Sequence, residues 1–141
     1  GDPAGVDPVV EASKRDDSSL RSTAAYVLGV LGTEPAVERL EALVGDLYPS
    51  VRWNAAFALA RLGNSAGETV ILEIMDRGPI YQAVAGNPTR QHEQFLNAVR
   101  SAGMLRSASV LERLRKIAQV DENLQARDMA KKLLEAEGSN Q

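Results

Sequence analysis

Two segments of this chain, thirty-one residues apart, are near-copies of each other. The first reads Leu20-Arg21-Ser22-Thr23-Ala24-Ala25-Tyr26-Val27-Leu28-Gly29-Val30-Leu31-Gly32, and the second Val51-Arg52-Trp53-Asn54-Ala55-Ala56-Phe57-Ala58-Leu59-Ala60-Arg61-Leu62-Gly63. Each holds an apolar residue, an arginine, an alanine pair, a leucine and a closing Leu-Gly. A fixed period of this size marks stacked structural units, each too small to bury its apolar face alone. An array of that kind presents a surface and does not enclose a pocket. The repeat therefore constrains architecture closely and partner identity hardly at all.

Both segments have helical spacing. Val51, Ala55, Leu59 and Leu62 fall on one stripe of a 3.6-residue period. The alanine pairs keep that stripe thin where a neighbouring helix must approach. Ser18 or Ser19 is expected to cap the first helix, and Pro49 suits the first turn of the second. Gly32 and Gly63 stand where a left-handed C-terminal cap is needed. A second helix follows each glycine, with Ile71 and Ile74 at the places of Leu40 and Leu43. The register runs backward as well: residues 1–15 read as the second helix of a unit whose first helix is missing, as in a fragment of a longer array.

The third unit is stretched. Ala102-Gly103 takes the part of Leu62-Gly63 at a spacing of 40 residues. The added length falls in residues 78–92, whose glycines and prolines predict a loop holding at most a short turn of helix. A last helix, from about Glu122 to Glu137, matches the second copy at an offset of 75, with Arg127 in place of Arg52. Lys131 there replaces Ala56, a polar version suited to a terminal unit. Residues 138–141 read as a tail.

Bulk numbers narrow the function classes. At 141 residues, one domain over residues 1–141 is expected. Aromatics are only 4%, so alanine, leucine and valine must build the core, which suits closely packed helices. The net charge is −3, divided as −5 over residues 1–78 and +2 over 79–141, which argues against a broad polyanion-binding surface. Cysteine is absent, excluding disulfides, thiolate metal sites and a cysteine nucleophile. The one histidine, His92, cannot make a typical zinc site without cysteines. No phosphate-binding glycine loop, nucleophile elbow or carboxylate cluster is present. No catalytic residue, cofactor or metal is expected. No stretch reaches membrane-spanning length. The compartment stays open, since an exported precursor could have lost its signal peptide before Gly1.

The residues Arg21, Ala24-Ala25, Leu28 and Leu31-Gly32, with Arg52, Ala55-Ala56, Leu59 and Leu62-Gly63, resemble the HEAT-like repeats of the phycobilin lyase type. Gly1-Asp2-Pro3 is similar to that family's turn between paired helices. The resemblance implies a right-handed α-α superhelix of about three and a half helix pairs. It also implies that the arginines are structural. His92 departs from it, standing where arginine is expected, and the third unit lacks the alanine pair, so distorted stacking is expected near residues 78–95.

Several residues can be read in two ways. Tyr81, Asn87, Arg90 and His92 in the insertion offer an aromatic face and mixed hydrogen bonding to a partner, or belong to a tolerated surface insertion. Tyr26, Trp53 and Phe57 form an exposed aromatic patch or pack between helices, and packing is the preferred reading. Arg113 and Lys116 begin a basic stretch on a second helix, opposite in sign to Glu34, Glu38 and Glu41 earlier. The expected role is a non-catalytic protein-interaction or scaffolding module, contacting its partner through a concave helix face and the 78–92 loop. The resemblance also admits a chromophore lyase-related subunit handling bilin. A nucleic-acid-binding solenoid is a further alternative and would need a continuous basic groove.

Overall fold

The structure, a computed structural model, describes residues 3–84 and 87–139. Expectations placed on Gly1-Asp2, Gly86 and Asn140-Gln141 lie outside them. Every regular element among the described residues is helical. The chain divides into two compact units, Gly1–Val70 and Ile71–Gln141.

The first unit holds α1 (Pro3–Ala12), α2 (Ser18–Leu31), α3 (Glu34–Leu43), α4 (Pro49–Arg61) and a single 3-10 turn at Ser65–Gly67. Helix α2 starts at Asp17, whose carboxylate accepts the Ser19 and Leu20 N–H groups at 2.9 and 3.3 Å. This corrects the expectation of a serine cap: Ser18 is already helical, and the carboxylate one residue earlier reaches two orphan donors. Gly32 ends the helix at φ 63°, its N–H bonded to the Leu28 carbonyl. Gly63 follows α4 at φ 74°, and Asn64 N–H reaches back to the Leu59 carbonyl at 2.8 Å. That 6→1 bond satisfies a carbonyl the helix would leave bare.

The seam of the first unit is Ala25, Leu28, Ala36, Leu40, Leu43, Val51, Ala55, Ala58 and Leu59, all fully buried. Helices α2 and α4 cross at close range, because a Cβ on Gly29 would lie 2.6 Å from that of Ala58. Arg39 ties α3 to the end of α1, its Nε donating to Ser13 Oγ at 2.8 Å.

Helix α5 (Glu68–Met75) leads into the second unit, followed by α6 (Pro79–Val84), α7 (Pro88–Leu105), α8 (Ala108–Val120) and α9 (Leu124–Ser139). The short helix expected in the insertion is α6. Phe95, Val99, Val110, Leu114, Ala126 and Ala130 are buried at the heart of this unit. Gly103 does not close α7, contrary to expectation. It lies inside the helix, where a Cβ would meet Leu133 Cδ2 at 2.6 Å, and the left-handed cap falls on Arg106 at φ 54°. The spacing to the next helix is kept while the helix end moves by three residues. Gly138 is likewise helical within α9. Lys131 is exposed, whereas Ala56, at the matching place in α4, is buried.

Candidate functional site

The polar residues that recur in the repeat gather at the corners between helix pairs. In the first unit Arg21 is buried. Its Nη1 donates to the Arg15 carbonyl at 2.6 Å, and its Nε and Nη2 take the two oxygens of Asp46 at 2.9 and 3.2 Å. Arg52 Nη1 donates to the Asp46 carbonyl at 2.7 Å. The Tyr48 N–H donates to Asp46 Oδ1, and the Arg21 guanidinium lies 5.3 Å from the Tyr48 ring centre. Burial alone would raise the Asp46 carboxyl. The bonds from Arg21 and Tyr48, with the charges of Arg21 and Arg39, outweigh that and hold it below the ordinary carboxylate range.

The second unit builds the same corner with different parts. Arg127 Nε and Nη2 donate to the Asp121 carbonyl at 2.9 and 2.6 Å. Arg21, Arg52 and Arg127 thus each grip the carbonyl six residues earlier, which is the structural role the repeat implies for them. The Asp121 carboxylate is taken by Arg77, at 2.9 and 3.2 Å. Arg77 sits at φ 50°, a conformation that a side chain adopts at some cost, and stacks 3.7 Å from the Phe95 ring centre. Burial works to raise the Asp121 carboxyl, but the Arg77 bonds, the Asn123 N–H and the charges of Arg77 and Arg127 bring it below its usual value.

His92, one helix position where arginine was expected, bonds side chains of the next corner. Its Nδ1 is 2.9 Å from Asn123 Nδ2 and its Nε2 is 2.8 Å from Gln125 Oε1. Tyr81 is only 5% exposed, and its hydroxyl donates to the Gln91 carbonyl at 2.7 Å. Burial, working against the Arg77 charge, raises the Tyr81 phenol. Asn87 caps α7 by accepting the Arg90 N–H at 2.8 Å. The binding roles considered for Tyr81 and Trp53 are therefore corrected: Tyr81 joins α6 to α7, and Trp53, 3% exposed, packs in the interior with Phe57, because rings of this size are carried on inward faces of α6 and α4. Of the insertion residues considered for binding, Asn87 and Arg90 are exposed. On α8, Arg113 pairs with Asp76 at 3.0 Å, and Lys116 is exposed.

One exposed feature was not legible as a group in the sequence. Tyr26, Val30 and Leu62 are 59%, 68% and 39% exposed, and Arg61 lies 5.5 Å from the Tyr26 ring centre. Leu62 borders the end of α2, 3.3 Å from where a Gly32 Cβ would stand. The signal available was that Tyr26 and Val30 are four apart and off the alanine stripe.

Helix pairs with arginine-pinned corners define a helical-repeat protein of the all-α solenoid class. Residues 20–46 and 51–77 each match the model of the PBS lyase HEAT-like repeat, so this part of the chain holds two adjacent HEAT-like repeats. The first matched segment covers most of α2 and all of α3, the second most of α4 and all of α5, and the two start thirty-one residues apart. No curated protein matches the chain. Among the described residues, no helix is long and apolar enough to cross a membrane, and no cluster of three or more histidine, aspartate or glutamate side chains could hold a metal.

Proposed function

We propose that this chain is a non-catalytic recognition module for a protein partner. The face carrying Tyr26, Val30, Arg61 and Leu62 in the first unit is its principal contact. The observation that supports this is the exposure of three large apolar side chains, Tyr26, Val30 and Leu62, with the Arg61 guanidinium 5.5 Å from the Tyr26 ring centre. Exposed aromatic and arginine side chains of this kind serve as interface anchors. In the second unit the contacts reduce to exposed Arg90 and the α8 cations Arg113 and Lys116. The family match supports the scaffold, since its residues are those of the seam and corners.

The test compares affinity capture by the wild-type chain with capture by Tyr26→Ser/Arg61→Glu and by Arg90→Glu/Lys116→Glu. All four side chains are solvent-facing, so unfolding midpoints should change little. A protein retained by the wild type and lost from the first double variant supports the proposal. Equal retention by all three chains refutes the assigned face.

A further inference from the structure

We propose that His92 is a proton-sensitive latch on the start of α9. The inference rests on hydrogen-bond directions and is independent of any partner. Asn123 caps α9: its Oδ1 accepts the Ala126 N–H at 2.9 Å. That bond fixes the orientation of the amide, so the group facing His92 Nδ1 at 2.9 Å is the Nδ2 donor. Nδ1 must then be the acceptor, and the single imidazole proton sits on Nε2, donating to Gln125 Oε1 at 2.8 Å. One neutral tautomer satisfies every group.

A second proton on the ring goes to Nδ1, opposite the Asn123 amino group. Two donors then face each other. Turning the amide around would relieve the clash, but it would point Nδ2 at the Ala126 N–H and abolish the cap. Either way the first turn of α9 loosens. The Asn123 N–H also donates to Asp121 Oδ1 at 2.9 Å, so the disturbance reaches the Arg77–Asp121 pair.

The charged and titratable groups around the ring do not remove this conflict. Arg77 and Tyr81 line the same cleft of about 370 Å³ from the side of α6, with Glu122 at the corner. Arg77 and Asp121 neutralise one another, and the phenol is uncharged at neutral pH. Arg90 and Glu93 on α7, and Arg127 and Asp128 on α9, contribute two charges of each sign. Glu122 favours an imidazolium, but it is exposed, and water and salt screen that attraction.

Because His92 is the only histidine, imidazole signals are unambiguous. Long-range proton–nitrogen NMR at about pH 7.5 should show the Nε2–H tautomer, with the Ala126 amide protected from exchange. Acidification to about pH 5.5 should reduce that protection. The melting temperature should fall by about 4 °C more in the wild type than in His92→Gln. Asn123→Asp keeps an acceptor for the Ala126 N–H and puts a second one opposite Nδ1, so its pH dependence should reverse over the same interval. An Nδ1–H tautomer at neutral pH overturns the proposal. So does histidine titration that leaves the Ala126 amide unchanged, or a pH dependence in Asn123→Asp of the same sign as the wild type.

Discussion

Replacing Gly29 with alanine tests the closest approach in the first unit. The new Cβ would lie 2.6 Å from Ala58 Cβ and 3.3 Å from Ala58 Cα. Carbon atoms in contact prefer about 3.5–4.0 Å, so α2 and α4 must part by roughly 1 Å. The obstacle includes backbone, and no side-chain rotation removes it. Separation loosens the seam of Ala25, Leu28, Val51, Ala55 and Leu59. Overpacking of this kind costs about 1–3 kcal/mol. Against it stands a helix-propensity gain of about 1 kcal/mol for alanine over glycine. The variant should therefore lose about 1 kcal/mol of stability, read from urea unfolding followed by circular dichroism at 222 nm. Ala58→Gly opens the same space, so Gly29→Ala should become stabilising in that background, with a coupling of about 1–2 kcal/mol. Gly103→Ala is the control: its new Cβ would meet the side chain of Leu133, which can turn away, so stability should change by less than about 1 kcal/mol. A Gly29→Ala chain stabilised by the full propensity gain, with no coupling to Ala58, would refute the close crossing.

Arg52→Ala removes the bonds to the Asp46 and Leu47 carbonyls and should lower stability by about 1–2 kcal/mol, measurable as a lower melting temperature. Acid should also destabilise the chain through its paired carboxylates. Asp46 and Asp121 both ionise more readily in the fold than in the open chain, so their stabilisation is complete above the unfolded carboxylate value of about 3.9 and is lost as pH drops through their lower folded values. Urea midpoints measured between about pH 5 and pH 2 should fall with acid, and less steeply in Asp121→Asn.

The parts of the fold set by local spacing were readable in the sequence. Gly32 and Gly63 do adopt positive φ, Pro49 opens α4, and Ile71 and Ile74 are buried like Leu40 and Leu43. These follow from one helix and one turn at a time. What escaped depends on groups distant along the chain. Arg77 meets Asp121 across forty-four residues, and His92 meets Asn123 across thirty-one. One clue was present: Asp46 precedes Arg52 by six residues, and Asp121 precedes Arg127 by the same interval. The place thirty-one beyond Asp46 holds Arg77, a reversed charge that had to find an acid elsewhere. Helix ends were less legible. Asp17 outcompetes two neighbouring serines as a cap, and α7 runs past Gly103 to a left-handed cap at Arg106. Aromatic burial was ambiguous because Tyr26 and Phe57 share a register place, yet one faces water and the other does not.

The carbonyl grip of the repeat arginines has an evolutionary corollary. A main-chain oxygen is supplied by any amino acid, so where an arginine grips only the carbonyl, as Arg52 does at Leu47, the side chain on the bend is unrestricted, unlike Asp46 and Asp121, whose carboxylates are themselves bonded. Leu47, 90% exposed, is one such vacant tenancy. Lineages can rewrite that position, and engineers can graft a tag or epitope there, without disturbing how one hairpin follows the next.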